Sequence, residues 1–154
     1  MMGTMAYVDR QTVLAQTTPE RAWDVVGTLG GDPRFYTPRL LWWLRGTADG
    51  LLGGPGWRIV GPGRPLERGD PMDFWQVVDV HPGTRLRLRA QSRLPGTAYL
   101  DVRVHAHGAH TELTLETTFE PAGLPGHAYW WSTVVAHKLT FALMARRLAA
   151  LVEG

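Results

Sequence analysis

The chain has 154 residues, 44% of them apolar, with seven tryptophans and no cysteine. That composition excludes a disulfide framework and thiolate chemistry, and it predicts one globular domain, residues 1–154, with a sizeable buried core. Sixteen Lys and Arg stand against fourteen Asp and Glu, with Lys138 the sole lysine, a balance too mild to call for a nucleic-acid partner.

The opening "MMGTMAYVDR" has no basic start followed by an apolar run, so no secretory signal is expected. Residues 6–16 then have strand character. In "TTPERAWDVVG", Thr18 is placed to cap a helix and Pro19 to occupy its first position. After the turn-rich "GGDPRFYTP", the segment "RLLWWLRGTADGLLGG" sets Leu41, Leu44, Ala48, Leu51 and Leu52 on one helical stripe, which predicts a second helix weakened at Gly46 and Gly50. Within it, Trp42 and Trp43 cannot face the same core: either one of them caps the mouth of a pocket, or one is an ordinary core residue and the other is partly exposed. Arg45 and Asp49 have the spacing of a surface pair.

From "GWRIV" onward the apolar period changes to two. Segments 72–80, 85–93, 97–106 and 111–119 alternate, with "HPGT", "LPG" and "HG" between them, the pattern of an antiparallel meander. The chain ends in one long helix with Pro125 near its start. Residues 128–145 have the length of a membrane span, but His137 and Lys138 at its middle would be costly there, so no stable membrane insertion and a cytoplasmic location are expected.

Charge complementarity suggests registers for the meander. Pairing Val78 with Leu88, Leu88 with Val102, and Val102 with Leu113 sets Asp79 opposite Arg87, Arg89 opposite Asp101 and Arg103 opposite Glu112. Leu94–Gly96 then form one loop, and His107 and Gly108 a two-residue turn. The face to be covered holds Phe74, Gln76, Val78, Val80, Leu86, Leu88, Ala90, Leu100, Val102, Leu113, Leu115, Thr117 and Phe119. Ala90, Ala98 and Thr117 are small, so a helix crossing there leaves space that bulky side chains or a ligand must fill. The other face carries the arginines and their acids, a paired solvated surface rather than a basic patch. Asp73, Trp75, Gln91, Arg93 and Tyr99 cluster on it as a surface or homodimer contact, unless a bulge in strand 72–80 turns Asp73 and Trp75 inward.

On the last helix Trp130, Val134, His137, Phe141, Met144 and Leu148 recur at steps of four and three, one stripe directed at the sheet. His137 on that stripe is either a hydrogen-bonded core residue or a working group in a pocket, with Gln76, Ser92 and Thr117 as polar companions. The run "HAHGAHTE" lacks the ligand set of a metal site, the glycine clusters lack phosphate-loop spacing, and no nucleophile elbow is present. Neither metal nor cofactor is expected.

The element order, with "TTPERAWDVV" and "GDPMDFWQVVDVHPGTRLRLRAQSRLPGTAYL", resembles the helix-grip SRPBCC superfamily of START-like and polyketide cyclase-like domains. More narrowly, "DFWQVVDVHPGTRLRL", "LPGTAYL" and "AYWW" before His137 are similar to an uncharacterised bacterial subfamily sometimes fused to NAD(P)-binding domains. The resemblance implies an α+β helix-grip fold: a curved antiparallel sheet around a long C-terminal helix, with two short helices after the first strand and an apolar cavity between sheet and helix. It further implies a hydrophobic polyketide- or lipid-like small molecule as partner. His137 would be the catalytic group of a cofactor-free cyclase or dehydratase of secondary metabolism, with Trp42, Phe74, Gln76, Ser92, Thr117, Trp130, Val134 and Phe141 as ligand-binding residues. The alternative is a non-catalytic carrier or sensor.

Overall fold

A computed structural model describes residues 6–29, 64–72, 75–90 and 95–154. The helix expected over 39–54, with Trp42, lies outside these residues, as do Asp73, Phe74, Gln91, Ser92 and Arg93.

The elements run β1 (Tyr7–Ala15), α1 (Pro19–Val26), β2 (Pro71–Met72), β3 (Trp75–His81), β4 (Arg85–Ala90), β5 (Gly96–His107), β6 (His110–Pro121) and α2 (Gly123–Glu153). The strands form one antiparallel sheet in the order β1-β6-β5-β4-β3-β2. This is the expected α+β helix-grip architecture, a curved sheet against a long C-terminal helix. At α1 the Thr18 hydroxyl accepts from the Arg21 amide at 3.2 Å and Pro19 begins the helix, so the N-terminal signal in the sequence is used as expected. Between β3 and β4, Pro82 and Gly83 occupy the middle of a turn closed by Thr84 N–H donating to the His81 carbonyl at 3.0 Å. Gly83 has φ of +86°, a conformation that glycine adopts without a Cβ clash.

The strand faces follow the alternation in the sequence, while the registers differ from the charge-based pairing. Leu88 lies opposite Leu100, not Val102, and Val102 opposite Leu115, not Leu113. The second shift puts the hairpin turn at Gly108 and Ala109, so His107 pairs with His110 instead of entering the turn. Both shifts are of two residues, which preserves every side chain's face. Between β3 and β4 the expected Asp79–Arg87 pair is present, but the register slips at Val78. This bulge reverses the orientation of the preceding residues: Trp75 and Val77 enter the core, and Gln76 moves to the outer face with Arg89.

The inner face is covered mainly by the C-terminal half of α2. Met144, Ala145, Leu148 and Val152 are fully buried against Leu86, Leu88, Leu100, Val102, Leu113 and Leu115, joined by Ala22 and Val26 of α1. Glu153 fastens the far end by accepting from the Gln16 amide at 2.7 Å. On the outer face, Asp101 is 1% exposed because Arg85 Nε (2.8 Å) and Arg87 Nη1 (3.2 Å) close over its carboxylate, and the Arg87 guanidinium also lies 4.5 Å from the Tyr99 ring centroid. The predicted Arg89–Asp101 pair is thus replaced by a two-arginine clamp. Tyr99 takes part in this outer-face arrangement and not in the helix–sheet interface.

Two stability predictions follow from these contacts. Asp101→Ala leaves two arginines without their shared acid and should cost about 3 kcal/mol, whereas Arg89→Ala, at an exposed site, should cost less than about 1 kcal/mol; urea denaturation measures both. Gly126 lies in α2, where alanine is normally favoured, yet an added Cβ would lie 2.6 Å from the Pro95 carbonyl oxygen and 2.8 Å from Pro121 Cα. Because those neighbours are backbone, Gly126→Ala should destabilise by about 1–3 kcal/mol, seen as a lowered thermal midpoint.

Candidate functional site

The N-terminal half of α2 lies over β1 and β6, running from the Tyr7 end towards the Ala15 end of β1. Its sheet-facing stripe begins at Trp130, whose indole stacks on both Tyr7 (centroids 5.0 Å apart, 12° between planes) and Phe119 (5.9 Å, 12°). Tyr7 and Phe119 are opposite residues on β1 and β6, so their rings form one platform under the tryptophan. Beside Tyr7, the phenol and Nδ1 of His127 are 2.7 Å apart, which secures the first turns of the helix to the edge strand.

Two turns further on, His137 lies between Trp130 (centroids 4.9 Å, edge-on) and Phe141 (4.6 Å, tilted). These residues stand seven before and four after it, so the spacing that put them on one stripe also clamps the imidazole plane. The ring is oriented by Thr117, whose Oγ1 is 2.8 Å from His137 Nε2 and 3.4 Å from the carbonyl oxygen of Asp9. When Nε2 carries the proton it donates to Thr117, whose hydroxyl hydrogen can then go to Asp9. In the other tautomer the hydroxyl donates to Nε2. An imidazole held in this way has the orientation that hydrogen bonding or proton movement needs.

Burial changes sharply along the interface. Below Phe141 the inner face is closed, with Leu113 and Leu115 at 0% exposure. Around His137 the inward-pointing residues divide: Trp130, Phe141, Thr117 and Asp9 are buried, whereas Val134 and His137 from α2, Ala90 and Ala98 from the sheet, and Tyr7 and Gln11 from β1 are only half-buried. The small residues singled out in the sequence lie at this level.

Of the expected site residues that are described, Thr117, Trp130, Val134, His137 and Phe141 come together. Gln76 does not: the bulge at Val78 places it on the opposite face, where its Oε1 accepts from Arg89 Nη2 at 3.0 Å. The same bulge brings Trp75 inward, the conditional reading of that segment. Asp9 is the residue that sequence reasoning missed. The alternation Tyr7, Asp9, Gln11, Val13, Ala15 marks the inner face of β1, and Asp9 sits directly opposite Thr117. The signal was present as a period of two, but a charged residue on an otherwise apolar-facing strand reads as outward. Among the described residues no group of three or more His, Asp or Glu side chains is arranged to hold a metal, and no helix is long and apolar enough to cross a membrane.

The architecture and the position of the helix over the inner face define a helix-grip fold. The chain belongs to the family described as a protein of unknown function, DUF2867, which matches residues 1–144. Among solved structures it is similar to the Zhui aromatase/cyclase from a Streptomyces (15% identity, TM-score 0.60, covering 97% of this chain and 94% of that one). It is also similar to the KanY protein (16%, 0.62, 99% and 100%). A third is DynU16, a protein of the dynemicin biosynthetic locus (22%, 0.58), for which the match spans 95% of this chain and 47% of that one. At these identities the likeness is one of fold. No curated protein sequence matches the chain.

The Thr117–His137 contact is testable by isosteric replacement. Thr117→Val keeps the side chain's shape while removing the hydroxyl and should destabilise by about 1–2 kcal/mol, with Thr117→Ser recovering most of the loss. Urea denaturation of the three proteins measures the difference; equal stability of the Val variant would show that the hydrogen bond contributes nothing net.

Proposed function

We propose that the chain, acting as one ligand-binding domain, holds a hydrophobic polyketide- or lipid-like molecule between the N-terminal half of α2 and the inner sheet face. The observation that carries this reading is the local loss of burial around His137. Val134, His137, Ala90 and Ala98 keep solvent-accessible surface there, while Leu113, Leu115, Met144 and Leu148 further along the same interface are fully enclosed. A flat, ring-containing ligand suits walls made by Trp130, Phe141 and Val134 over a floor of Ala90, Ala98 and Thr117. His137, held by Thr117 and its aromatic neighbours, supplies the hydrogen-bonding group. The fold shared with an aromatase/cyclase supports the same class of ligand.

A second reading, favoured by the fixed orientation of His137, is cofactor-independent cyclisation or dehydration of that ligand. The protein would fold the substrate into a reactive conformer, and the imidazole would take a proton from carbon or deliver one to a departing oxygen. A carrier needs the same walls but no proton transfer.

Titration with 2-hydroxyanthraquinone, followed by quenching of tryptophan fluorescence, tests the binding reading. Saturable one-to-one quenching is expected, weakened about tenfold or more by Val134→Arg, which places a long charged side chain at the proposed wall. Quenching that never saturates, or that ignores Val134→Arg, would remove it. If a cyclisation substrate is found, His137→Phe should abolish turnover while weakening binding by no more than about tenfold, the loss of one hydrogen bond, so that the larger effect falls on the transition state.

A further inference from the structure

Asp9 is 9% exposed and faces the helix, yet its carboxylate makes only a local bond. Gln11 Nε2 donates to Oδ2 at 3.1 Å, from two residues along the same strand. Among the described residues no other side chain or amide donates to it, and Oδ1 has no donor at all. A buried carboxylate that served the fold would be expected to cross-link elements, as Asp101 does with two arginines of a neighbouring strand. Asp9 ties β1 to neither α2 nor β6 through its carboxylate; only its backbone carbonyl meets the Thr117 hydroxyl. Leaving a buried oxygen unpaired is unfavourable, so an acceptor held in this way is directed at something that donates to it.

The direction is set by the sheet. Asp9 and Thr117 are opposite residues on the inner face, and Thr117 Oγ1 is 2.8 Å from His137 Nε2. Asp9 therefore sits on the inner face beside Thr117, the residue that holds the imidazole, and Trp130 and Phe141 flank that imidazole. Gln11 holds one carboxylate oxygen in place and leaves the other open, which fixes the acceptor's orientation before a ligand arrives.

We propose that Asp9 is the polar anchor of this site and that Oδ1 accepts a hydrogen bond from a hydroxyl group on the bound hydrophobic molecule. The chain then selects hydroxylated ligands over their O-alkylated counterparts. A hydroxyl matches the site because a single oxygen is open, the surrounding walls are apolar, and a neutral donor enters such walls at lower desolvation cost than a cation. The methyl ether keeps the same ring skeleton, replaces the donor proton with a methyl group and leaves Oδ1 unpaired, and sites built to bond a hydroxyl reject analogues lacking it far more strongly than volume differences would. This inference rests on the pocket reading above and adds the chemical class of its ligand.

The test compares 2-hydroxyanthraquinone with 2-methoxyanthraquinone on the wild type, Asp9→Asn and Asp9→Leu, by tryptophan quenching, with thermal melts as a control for folding. The wild type should prefer the hydroxy compound by about tenfold or more. Asp9→Leu should bind both within about twofold, at the wild type's affinity for the ether, and Asp9→Asn, which keeps an acceptor oxygen, should retain part of the preference. The Leu variant should melt no lower than the wild type, since it removes an unpaired buried acid. A wild-type ratio within twofold, or a preference that survives Asp9→Leu, overturns the anchor while leaving the pocket intact. Failure of both compounds to bind the wild type overturns the pocket and the anchor together. If Asp9→Leu does not fold, Asp9→Asn decides alone: an undiminished preference for the hydroxy compound counts against the carboxylate.

Discussion

The constraint on which the rest depends is one of width. Six strands at about 4.8 Å spacing span roughly 24 Å, whereas a helix with its side chains is about 10 Å across. One helix cannot close such a face along its whole length. α2 lies along β1 and β6, and at its C-terminal end α1 fills part of the remaining width with Ala22 and Val26, giving the fully buried cluster around Leu100, Leu113 and Leu148. Towards the N-terminal end of α2 the facing sheet residues are Ala90, Ala98 and Thr117, and burial falls. The contrast between the two ends of one interface is one between a closed core and a looser contact, and the proposed site lies at the looser end.

Position along α2 also decides what each side chain does. The stripe from Trp130 to Leu148 has one helical phase throughout, so Met144 and His137 are equivalent by periodicity. They differ in what lies opposite. Met144 meets a closed apolar layer and is fully buried; His137 meets a threonine and is held by its ring nitrogen and by aromatic neighbours. Helical phase could identify the stripe in the sequence, but the change from apolar packing to a hydrogen-bonded imidazole came from the sheet beneath.

How much was legible follows from the physics of each element. Strand faces were readable because a period of two survives register errors of two, and both the β4–β5 and β5–β6 pairings erred by that amount. The charges misled because Asp101 accepts from arginines two residues apart on β4, so a single opposite partner was the wrong template. A one-residue bulge was the error that alternation could not absorb, and it moved Gln76 to the outer face while turning Trp75 into the core. Asp9 was hidden for a different reason. Reading acids as solvent-facing is sound for most strands, and it fails at Asp9, which is buried on the inner face; a buried polar group can serve the fold or serve a ligand.

That distinction gives the polar patch its meaning. Asp101 and Asp9 are both buried carboxylates on one sheet, and the fold treats them in opposite ways. Asp101 is enclosed by two guanidinium groups on the outer face, a charge whose burial is offset by its partners. Asp9, on the inner face, has one neutral amide and an open oxygen. A fold optimised only for stability would place an aliphatic side chain at position 9, as it does at Val13 two residues beyond Gln11 on the same face. The cost of keeping an acid there is explicable if the bound molecule supplies the missing donor, so that the uncompensated group in the free protein becomes a compensated one in the complex.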